Sequence, residues 1–175
     1  MEKELVIVRA DIDRRVQELG RQISAESLPN LLVVGILKGA FIFTADLVRA
    51  ISMPHELDFI RVASYGENTC SSGEIKLSKD LETSVVDKNV LLVEDIVDTG
   101  RTLAWLIKHL QARGAASIKT CTLIDKRERR LNEVEIEYSG FQLSKGFLIG
   151  YGLDYAEQYR HLPDIYHLTN CENDQ

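Results

Sequence analysis

The sequence predicts an α/β protein whose central, mainly parallel sheet is flanked by helices. Continuous apolar runs at residues 31–36, 89–93 and 118–124 are typical of strands that are buried on both faces. Helices with one apolar face separate these runs, and such alternation predicts a parallel sheet covered on both sides. Because ligands bind at the carboxyl ends of the strands in such sheets, we expect the chemistry in the loops that follow the three runs.

Three helices are predicted from apolar residues at helical spacing. The first ends before Pro29, and its apolar residues are Ile12, Val16, Leu19 and Ile23. The second helix spans about residues 40–51. The third begins at about Thr102 and ends at Gly114, a residue type that is common just past the last turn of a helix.

Shorter segments complete the predicted sheet. A polar, glycine-bearing stretch at residues 64–72 is too long for a plain hairpin turn and is predicted to be a loop. The remaining strands are predicted at residues 57–62, 75–77, 134–138, 147–150 and 165–168.

The composition indicates one globular domain and excludes several classes of protein. The chain has 175 residues, 45% of them hydrophobic, and its 21 basic and 27 acidic residues give a net charge of −6. This acidic surplus argues against a protein that binds nucleic acid or an anionic membrane through bulk charge. No apolar stretch is long enough to span a bilayer, and the three cysteines form no CxxC pair. We therefore expect a soluble, cytoplasmic protein without a disulfide framework or a cysteine zinc site.

Residues 90–102, VLLVEDIVDTGRT, carry the main chemical signal of the sequence. The apolar strand runs into Glu94 and Asp95, which can accept hydrogen bonds from hydroxyl groups or hold a divalent cation. Residues 98–102 form a small-residue loop at the start of a helix, where free amide groups and the helix dipole favour one phosphate group. A phosphate beside vicinal hydroxyls describes a ribose 5-phosphate.

Two other interpretations of this motif stay open from the residues alone. An Asp at the end of an apolar strand also holds magnesium in nucleotide hydrolases, but these enzymes need a GxxxxGK[ST] loop. The nearest candidate, residues 35–39, lacks that spacing. Alternatively, Glu94 and Asp95 form a solvated strand end, and Asp98 is only the N-cap of the following helix.

The motif resembles the phosphoribosyl-pyrophosphate motif of the type I phosphoribosyltransferases, in particular the branch that contains the hypoxanthine and guanine phosphoribosyltransferases. Four further segments resemble this family in the right order along the chain. Residues 37–39 are similar to its pyrophosphate loop, and residues 64–65 to the start of its mobile catalytic loop. Residues 125–127 resemble the segment that supplies a purine-contacting lysine, and residues 147–155 resemble the purine-binding hood.

The resemblance implies a role for each matching residue. Asp98 is implied to be the catalytic general base, since the purine must lose a proton as its ring nitrogen bonds to C1′. The residues implied to bind substrate are Lys38, Gly39, Ser64, Tyr65, Glu94, Asp95, Asp98, Thr99, Gly100, Arg101, Thr102, Lys126, Phe147, Leu148 and Arg160. Magnesium is the implied cofactor, and the implied metal-binding residues are Glu94, Asp95 and Asp154.

Within this set, the resemblance divides the substrates among the segments. Residues 99–102 are implied to bind the 5′-phosphate, and Lys38 and Arg160 the pyrophosphate, with a cis peptide bond before Lys38. Lys126 is implied to donate a hydrogen bond to the purine O6, and Phe147 to stack on the base. In isolation, Lys126 and the four charged residues after it would instead predict a solvated turn.

The activity implied by the resemblance is magnesium-dependent transfer of a phosphoribosyl group from phosphoribosyl pyrophosphate to hypoxanthine. The products are IMP and pyrophosphate, the pathway is purine salvage, and guanine is a second expected substrate. A transferase that prefers xanthine or guanine is one alternative, and a non-catalytic regulatory member of the fold is another.

The implied fold is that of a type I phosphoribosyltransferase, as one domain over residues 1–175. Its core is expected at about residues 28–135, and a small hood is expected from the N-terminal segment together with about residues 136–175. The expected partners are phosphoribosyl pyrophosphate, a 6-oxopurine base and further copies of the chain in a homodimer or homotetramer. Neither nucleic acid nor a membrane is expected as a partner.

Overall fold

The computed structural model describes residues 2–64, 75–144 and 146–169. These residues form two β-sheets, three helices and the segments that connect them. In chain order the elements are β1 (Glu2–Ile7), α1 (Arg9–Ala25), β2 (Leu31–Leu37), α2 (Phe41–Ala50), β3 (His55–Ser64), β4 (Ile75–Lys79), β5 (Asn89–Val97), α3 (Arg101–Ala112), β6 (Ser117–Asp125), β7 (Tyr138–Gln142), β8 (Phe147–Ile149) and β9 (Ile165–Thr169). Within these ranges, no helix is both long and apolar enough to cross a membrane.

The larger sheet contains six strands in the order β4-β3-β2-β5-β6-β7. Five of them run parallel, and β4 is antiparallel at one edge. The predicted, mainly parallel central sheet is therefore confirmed. The smaller sheet is antiparallel and joins the two ends of the chain, because β9 lies between β1 and β8.

Alternate residues of the central strands pack against opposite layers of helices. In β2, Leu31 and Val33 belong to the apolar cluster that contains side chains of α1 and α2, whereas Leu32 and Val34 belong to the cluster that contains those of α3. The four apolar residues predicted for α1 are all buried. Burial on both faces explains why the central strands are continuously apolar.

Strand β5 is longer than its apolar run predicts. It continues past Val93 through Glu94 and Asp95 to Val97, because β6 offers backbone partners along this whole length and places Asp125 opposite Val97. The expectation that the two acidic residues follow the strand is wrong by a few positions. They lie near its carboxyl end, inside the sheet ladder, and this position makes their geometry more rigid than that of a loop.

Two other secondary-structure predictions need correction. Residues 134–137 are not a strand, because the ladder of β6 with β7 begins only where Cys121 faces Tyr138. Just before that point the Thr120 amide donates to the Glu137 side chain at 2.7 Å, so a carboxylate takes the place of a backbone partner.

Strand β1 is absent from the sequence prediction because its side chains are exposed over most of its length, as is typical of an edge strand.

Candidate active site

The turn between β5 and α3 forms the floor of the candidate site. Gly100 is the N-cap of α3 and adopts a left-handed conformation with φ of 76°. A side chain there would also come within 2.6 Å of the Asn132 carbonyl oxygen, so glycine is required on both counts. The N-cap residue has no side chain, and the Arg101 amide donates to Thr99 Oγ1 at 3.4 Å, so the interpretation of Asp98 as the N-cap is wrong.

A cavity of about 180 Å³ opens over this turn. It is lined by residues of β5, of the turn and of the first turn of α3: Glu94, Ile96, Val97, Asp98, Thr99, Gly100, Arg101, Thr102 and Leu103. The first amide groups of a helix have no partner inside the helix, and the positive end of the helix dipole lies there. The cavity thus places the Glu94 and Asp98 carboxylates beside a helix end whose amide groups favour an anion.

Asp98 has one carboxylate oxygen without a hydrogen-bond partner. Its Oδ1 is buried and has no hydrogen-bond partner, while Oδ2 lies 3.7 Å from Nη1 of the exposed Arg129. A buried acceptor without a partner costs about 1–3 kcal/mol, so a ligand hydrogen would stabilise it.

Glu94 and Asp95 form a half-buried acidic pair at the end of β5. Burial raises the pKa of Glu94 well above its ordinary value, and the neighbouring Asp95 charge raises it further. Burial also raises the pKa of Asp95, although a hydrogen bond with the Glu94 side chain and, to a smaller extent, the positive charge of Arg160 counteract part of that effect. Negative charge at this edge of the sheet is therefore poorly compensated within the chain, and a cation or hydrogen-bond donor would be favourable there.

The segment after β2 lies directly against this acidic pair. The peptide bond between Leu37 and Lys38 is cis, as the resemblance implies. A Cβ at residue 39 would collide with the Asp95 carboxylate, so only glycine lets the backbone lie this close to that side chain. The Lys38 ammonium reaches across to Glu157, 2.7 Å away.

Arg160 connects the C-terminal segment to the same region. It donates to the Gly152 carbonyl at 2.7 Å, and it forms ion pairs with Asp154 at 2.9 Å and Glu157 at 3.4 Å. Its side chain is only 18% exposed. The other oxygen of Asp154 accepts the Glu157 amide at 2.9 Å, so Asp154 is held by contacts within the chain.

The predicted base-binding residues lie at the end of β6 and at the start of β8. The Lys126 ammonium donates to the Gly146 carbonyl at 2.8 Å, directly before Phe147. The Phe147 ring is 41% exposed and packs edge-on against Tyr155 with 5.4 Å between ring centroids. Leu148 points its side chain into the core, so only its backbone is available to a ligand.

Not every predicted residue can be placed in the site. Ser64 ends β3, whereas Tyr65 lies outside the described residues. In the described ranges, no three His, Cys, Asp or Glu side chains are grouped closely enough to hold a metal ion by themselves.

The structure also adds residues that the sequence did not single out. Arg130 donates to the Asp98 carbonyl at 2.9 Å, and the Leu131 and Asn132 amides both donate to the Thr99 carbonyl at 3.0 Å. The segment after β6 is thus bonded directly to the turn that begins α3. The sequence of residues 126–130, all of them charged, does not indicate that one of these side chains is mostly buried.

The chain matches a known family model and is similar to named proteins over most of its length. The model of the phosphoribosyl transferase domain matches residues 9–156. The hypoxanthine-guanine phosphoribosyltransferase of Bacillus subtilis (strain 168) is 44% identical over 164 residues, which cover 93% of this chain and 91% of that protein. The hypoxanthine phosphoribosyltransferase of Salmonella typhimurium (strain LT2) is 44% identical over 165 residues, with 93% of both chains covered.

Solved structures give the same result. A hypoxanthine phosphoribosyltransferase from Staphylococcus aureus is similar with a TM-score of 0.90 and 41% identity, over 94% of this chain and 90% of that one. A hypoxanthine-guanine phosphoribosyltransferase from Bacillus anthracis has a TM-score of 0.90 and 40% identity, over 96% of this chain and 99% of that one.

Proposed function

The chain belongs to the phosphoribosyl transferase family, and from this premise we propose that it transfers a 5-phosphoribosyl group from phosphoribosyl pyrophosphate to a 6-oxopurine base. With hypoxanthine the products are IMP and pyrophosphate, and with guanine the nucleotide product is GMP. The activity is that of a hypoxanthine phosphoribosyltransferase in purine salvage, and the fold is that of the type I phosphoribosyltransferases.

One observation carries the assignment of chemistry to this site. The buried Asp98 Oδ1 has no partner in a cavity that also contains a helix N-terminus, and the segment with Lys126 is bonded to the same turn. The proposed proton acceptor and a helix end that favours a phosphate therefore line one cavity, and the segment with the proposed base-selecting lysine is bonded to the same turn. Glycosyl transfer to a purine needs these three groups together.

Asp98 is proposed to act as the general base. In the reaction, the C1′–O bond to pyrophosphate breaks while a purine ring nitrogen bonds to C1′, and the base loses a ring proton. The free Oδ1 accepts that proton, which prevents positive charge from building up on the purine.

The two phosphate-bearing ends of the substrate are proposed to bind on different segments. Residues 99–102 hold the 5′-phosphate through backbone amides and hydroxyls at the start of α3. Lys38, Gly39 and Arg160 contact the pyrophosphate, because Lys38 and Arg160 both reach Glu157 and thus bring two cations together, with the Gly39 backbone next to Lys38. Glu94 and Asp95 meet the ribose hydroxyls.

Base selection is assigned to Lys126 and to the start of β8. The Lys126 ammonium donates to the purine O6, Phe147 stacks on the ring, and the Leu148 backbone contacts the ring edge. In adenine an amino group replaces O6, which leaves the lysine donor unpaired at a cost of about 1–3 kcal/mol. The enzyme therefore discriminates against adenine.

Magnesium is proposed as the cofactor: Glu94 and Asp95 would hold one ion beside the ribose hydroxyls, and Asp154 would hold a second ion on the pyrophosphate side. The acidic pair fits this assignment because its charge is poorly compensated by the chain, as the raised pKa values of both groups indicate. The lack of a preformed cage among the described residues also fits, since Mg²⁺ is often bound by one or two carboxylates together with substrate phosphates. Magnesium bound by these residues would neutralise charge on the pyrophosphate group.

Several further assignments are part of the proposal. Ser64, at the end of β3, and Tyr65, which lies outside the described residues, are proposed to contact the substrate. The chain forms one domain with the core and hood divided at about residues 28–135 and 136–175, and it assembles as a homodimer or homotetramer. A cytoplasmic location is consistent with the buried, unpaired Cys121 thiol. Light scattering after size-exclusion chromatography measures the assembly.

A steady-state assay of the purified protein tests the function. Phosphoribosyl pyrophosphate and magnesium are supplied with hypoxanthine, guanine, xanthine or adenine in parallel, and both nucleotide and pyrophosphate are measured. We expect the highest kcat/KM for hypoxanthine or guanine and little product from adenine. A chelator that removes magnesium should abolish turnover, because the acidic pair then repels the pyrophosphate substrate.

The same assay separates the alternatives. A higher kcat/KM for xanthine than for hypoxanthine would identify the other 6-oxopurine preference. No nucleotide product with any of the four bases would contradict the enzymatic function. In that case a steeply salt-dependent affinity for RNA or DNA would favour a regulatory protein, in spite of the net charge of −6.

A further inference from the structure

Arg130 is an almost buried cation at the junction of the two halves of the site. Its side chain is 13% exposed, and its Nη2 lies 2.5 Å from Oδ1 of Asp125, a carboxylate that is completely buried at the end of β6. A buried ion pair of this kind is expensive to desolvate and is a weak source of stability. Its presence beside the site therefore calls for another explanation.

The remaining contacts of the Arg130 guanidinium are all with backbone carbonyls of the site. Nε donates to the Asp98 carbonyl at 2.9 Å, and Nη2 lies 3.2 Å from the Val97 carbonyl and 3.1 Å from the Lys126 carbonyl. Two of these carbonyls belong to the segment with the proposed general base, and the third belongs to the proposed base-selecting lysine. The planar guanidinium thus contacts both the backbone segment of the proposed general base and the backbone of the proposed base-selecting lysine.

We propose that Arg130 is a positioning residue that holds the base-selecting Lys126 and the general base Asp98 at a fixed separation. The inference rests on the proposed function, since it assigns those two roles. The proton acceptor and the O6 donor must contact the same purine, so their separation has to match the width of one base. The guanidinium fork can meet several acceptors in one plane, whereas a lysine ammonium at the end of a flexible chain cannot.

Contacts independent of Arg130 hold the segment after β6 in place. The Leu131 and Asn132 amides donate to the Thr99 carbonyl, and the Lys126 amide donates to the Val97 carbonyl at 2.9 Å. Loss of the guanidinium should therefore leave the segment attached while loosening the relation between its two functional ends. A displacement of about 1 Å in reacting groups can reduce turnover about 100-fold.

Arg127 provides a matched control within the same turn. Its Nε donates to the other oxygen of Asp125 at 2.9 Å, but its side chain is 72% exposed. Both arginines therefore pair with the same buried carboxylate, and the contacts with the Val97, Asp98 and Lys126 carbonyls belong to Arg130. A substitution of either arginine by lysine keeps the positive charge near Asp125 and removes only the planar, forked set of donors.

The test compares Arg130→Lys with Arg127→Lys in two measurements. The first is kcat and KM for phosphoribosyl pyrophosphate with hypoxanthine. The second is the ratio of Kd values for AMP and IMP by calorimetry, which reports the Lys126 contact with O6 without turnover. For Arg130→Lys we expect kcat to fall at least about 10-fold, KM to stay within about threefold, and the AMP-to-IMP ratio to fall at least about threefold. Arg127→Lys should match the wild type in both measurements.

A structural role alone would lower the melting temperature without changing the AMP-to-IMP ratio. Unchanged kcat and an unchanged ratio in a folded Arg130→Lys variant would overturn the proposal, as would equal losses in Arg127→Lys. If circular dichroism shows that Arg130→Lys does not fold, Asp125→Asn replaces it, because it loosens the anchor of the guanidinium and leaves Arg130 in place. Wild-type kcat and ratio in Asp125→Asn would then overturn the proposal. A wild-type protein that makes no nucleotide contradicts the proposed function itself.

Discussion

Asp58 and the two acidic residues at the end of β5 all carry carboxylates that are at least partly buried, but they differ in the hydrogen-bond donors around them. Asp58 is 8% exposed, and its carboxylate accepts amide hydrogens from Phe59 at 2.7 Å and from Glu82 and Thr83 at 2.8 Å each. Burial disfavours its charged form, but these hydrogen bonds outweigh burial and lower the pKa of Asp58. The pKa values of Glu94 and Asp95 are raised, since burial is not compensated to the same extent there.

This difference separates carboxylates that stabilise the fold from carboxylates that await a ligand. A buried acid with a full set of donors fixes the backbone that supplies them, as Asp58 does for residues 82–83. A partly buried acid with too few donors destabilises the protein alone and gains those donors from substrate, metal or a transferred proton. Asp125 stabilises the fold, because two arginines pair with it, and these arginines lie beside the candidate site. A carboxylate with a full set of partners can therefore also help to position the residues around carboxylates that lack partners.

Removal of the proton acceptor should produce the largest effect. Asp98→Asn keeps the shape of the side chain but leaves no carboxylate to accept the purine proton. We expect kcat to fall about 10²–10⁴-fold, while the Kd for phosphoribosyl pyrophosphate changes by less than about threefold. Rapid-quench kinetics and calorimetry measure the two quantities. Equal losses in turnover and in binding would place Asp98 among the structural acids of the comparison.

Neutralisation of the acidic pair should change activity and stability in opposite directions. In Glu94→Gln the uncompensated charge is lost, so the free energy of unfolding at pH 7 should rise by about 1 kcal/mol while kcat/KM falls at least about 10-fold. Urea denaturation gives the first value, and the magnesium-dependent assay gives the second. A variant that is less stable than the wild type would show that the charge of Glu94 is satisfied within the chain.

The amino-acid pattern predicts those parts of this site that depend on local sequence. Continuous apolar residues identify β2 and β5, and the acids and small residues after Val93 identify the carboxylates and the anion site. The pattern stops the strand at Val93 because Glu94 and Asp95 are charged, whereas backbone pairing with β6 carries it to Val97. Such pairing depends on a partner strand that is distant in the sequence, and side-chain polarity does not report it.

Arg130 illustrates the same limit for single residues. Residues 126–130 are all charged, and a solvated turn is the natural prediction for them. Arg127 and Arg129 are indeed 72% and 74% exposed, but Arg130 is 13% exposed because the buried Asp125 and three backbone carbonyls face it. The sequence does not indicate which of three arginines has acceptors on its inner side. The contacts made by Glu157 with Lys38 and Arg160 depend in the same way on the folded chain.

The stabilising side of the comparison can be tested at Asp58. Asp58→Asn removes charged hydrogen bonds to three amides and should lower the free energy of unfolding by about 2 kcal/mol at pH 7, with unchanged kcat per folded molecule. Because the pKa is lowered from its ordinary value of 3.8, the contribution of the ionised group is present above that pH and is lost as the pH falls through the folded-state pKa. Denaturation curves at several pH values should therefore show the difference between wild type and variant shrinking below about pH 4. A difference that does not depend on pH would mean that shape rather than charge is responsible.

The smallest effect is expected at Glu157, whose carboxylate pairs with Lys38 and Arg160 at the proposed pyrophosphate site. These contacts are 2.7 Å and 3.4 Å, and the Glu157 side chain is 64% exposed, so each exposed pair contributes at most about 1 kcal/mol. In Glu157→Gln the two cations lose a competing anion, so Lys38 loses its paired carboxylate and Arg160 keeps only its ion pair with Asp154. We expect KM for phosphoribosyl pyrophosphate to fall by about two- to threefold at low salt and the difference to vanish at high salt, because exposed charges are screened. Glu18→Gln is the control, since its carboxylate pairs with Arg15 on α1. A rise in KM for Glu157→Gln would show that this carboxylate orients Lys38 and Arg160 for the substrate instead of competing with it.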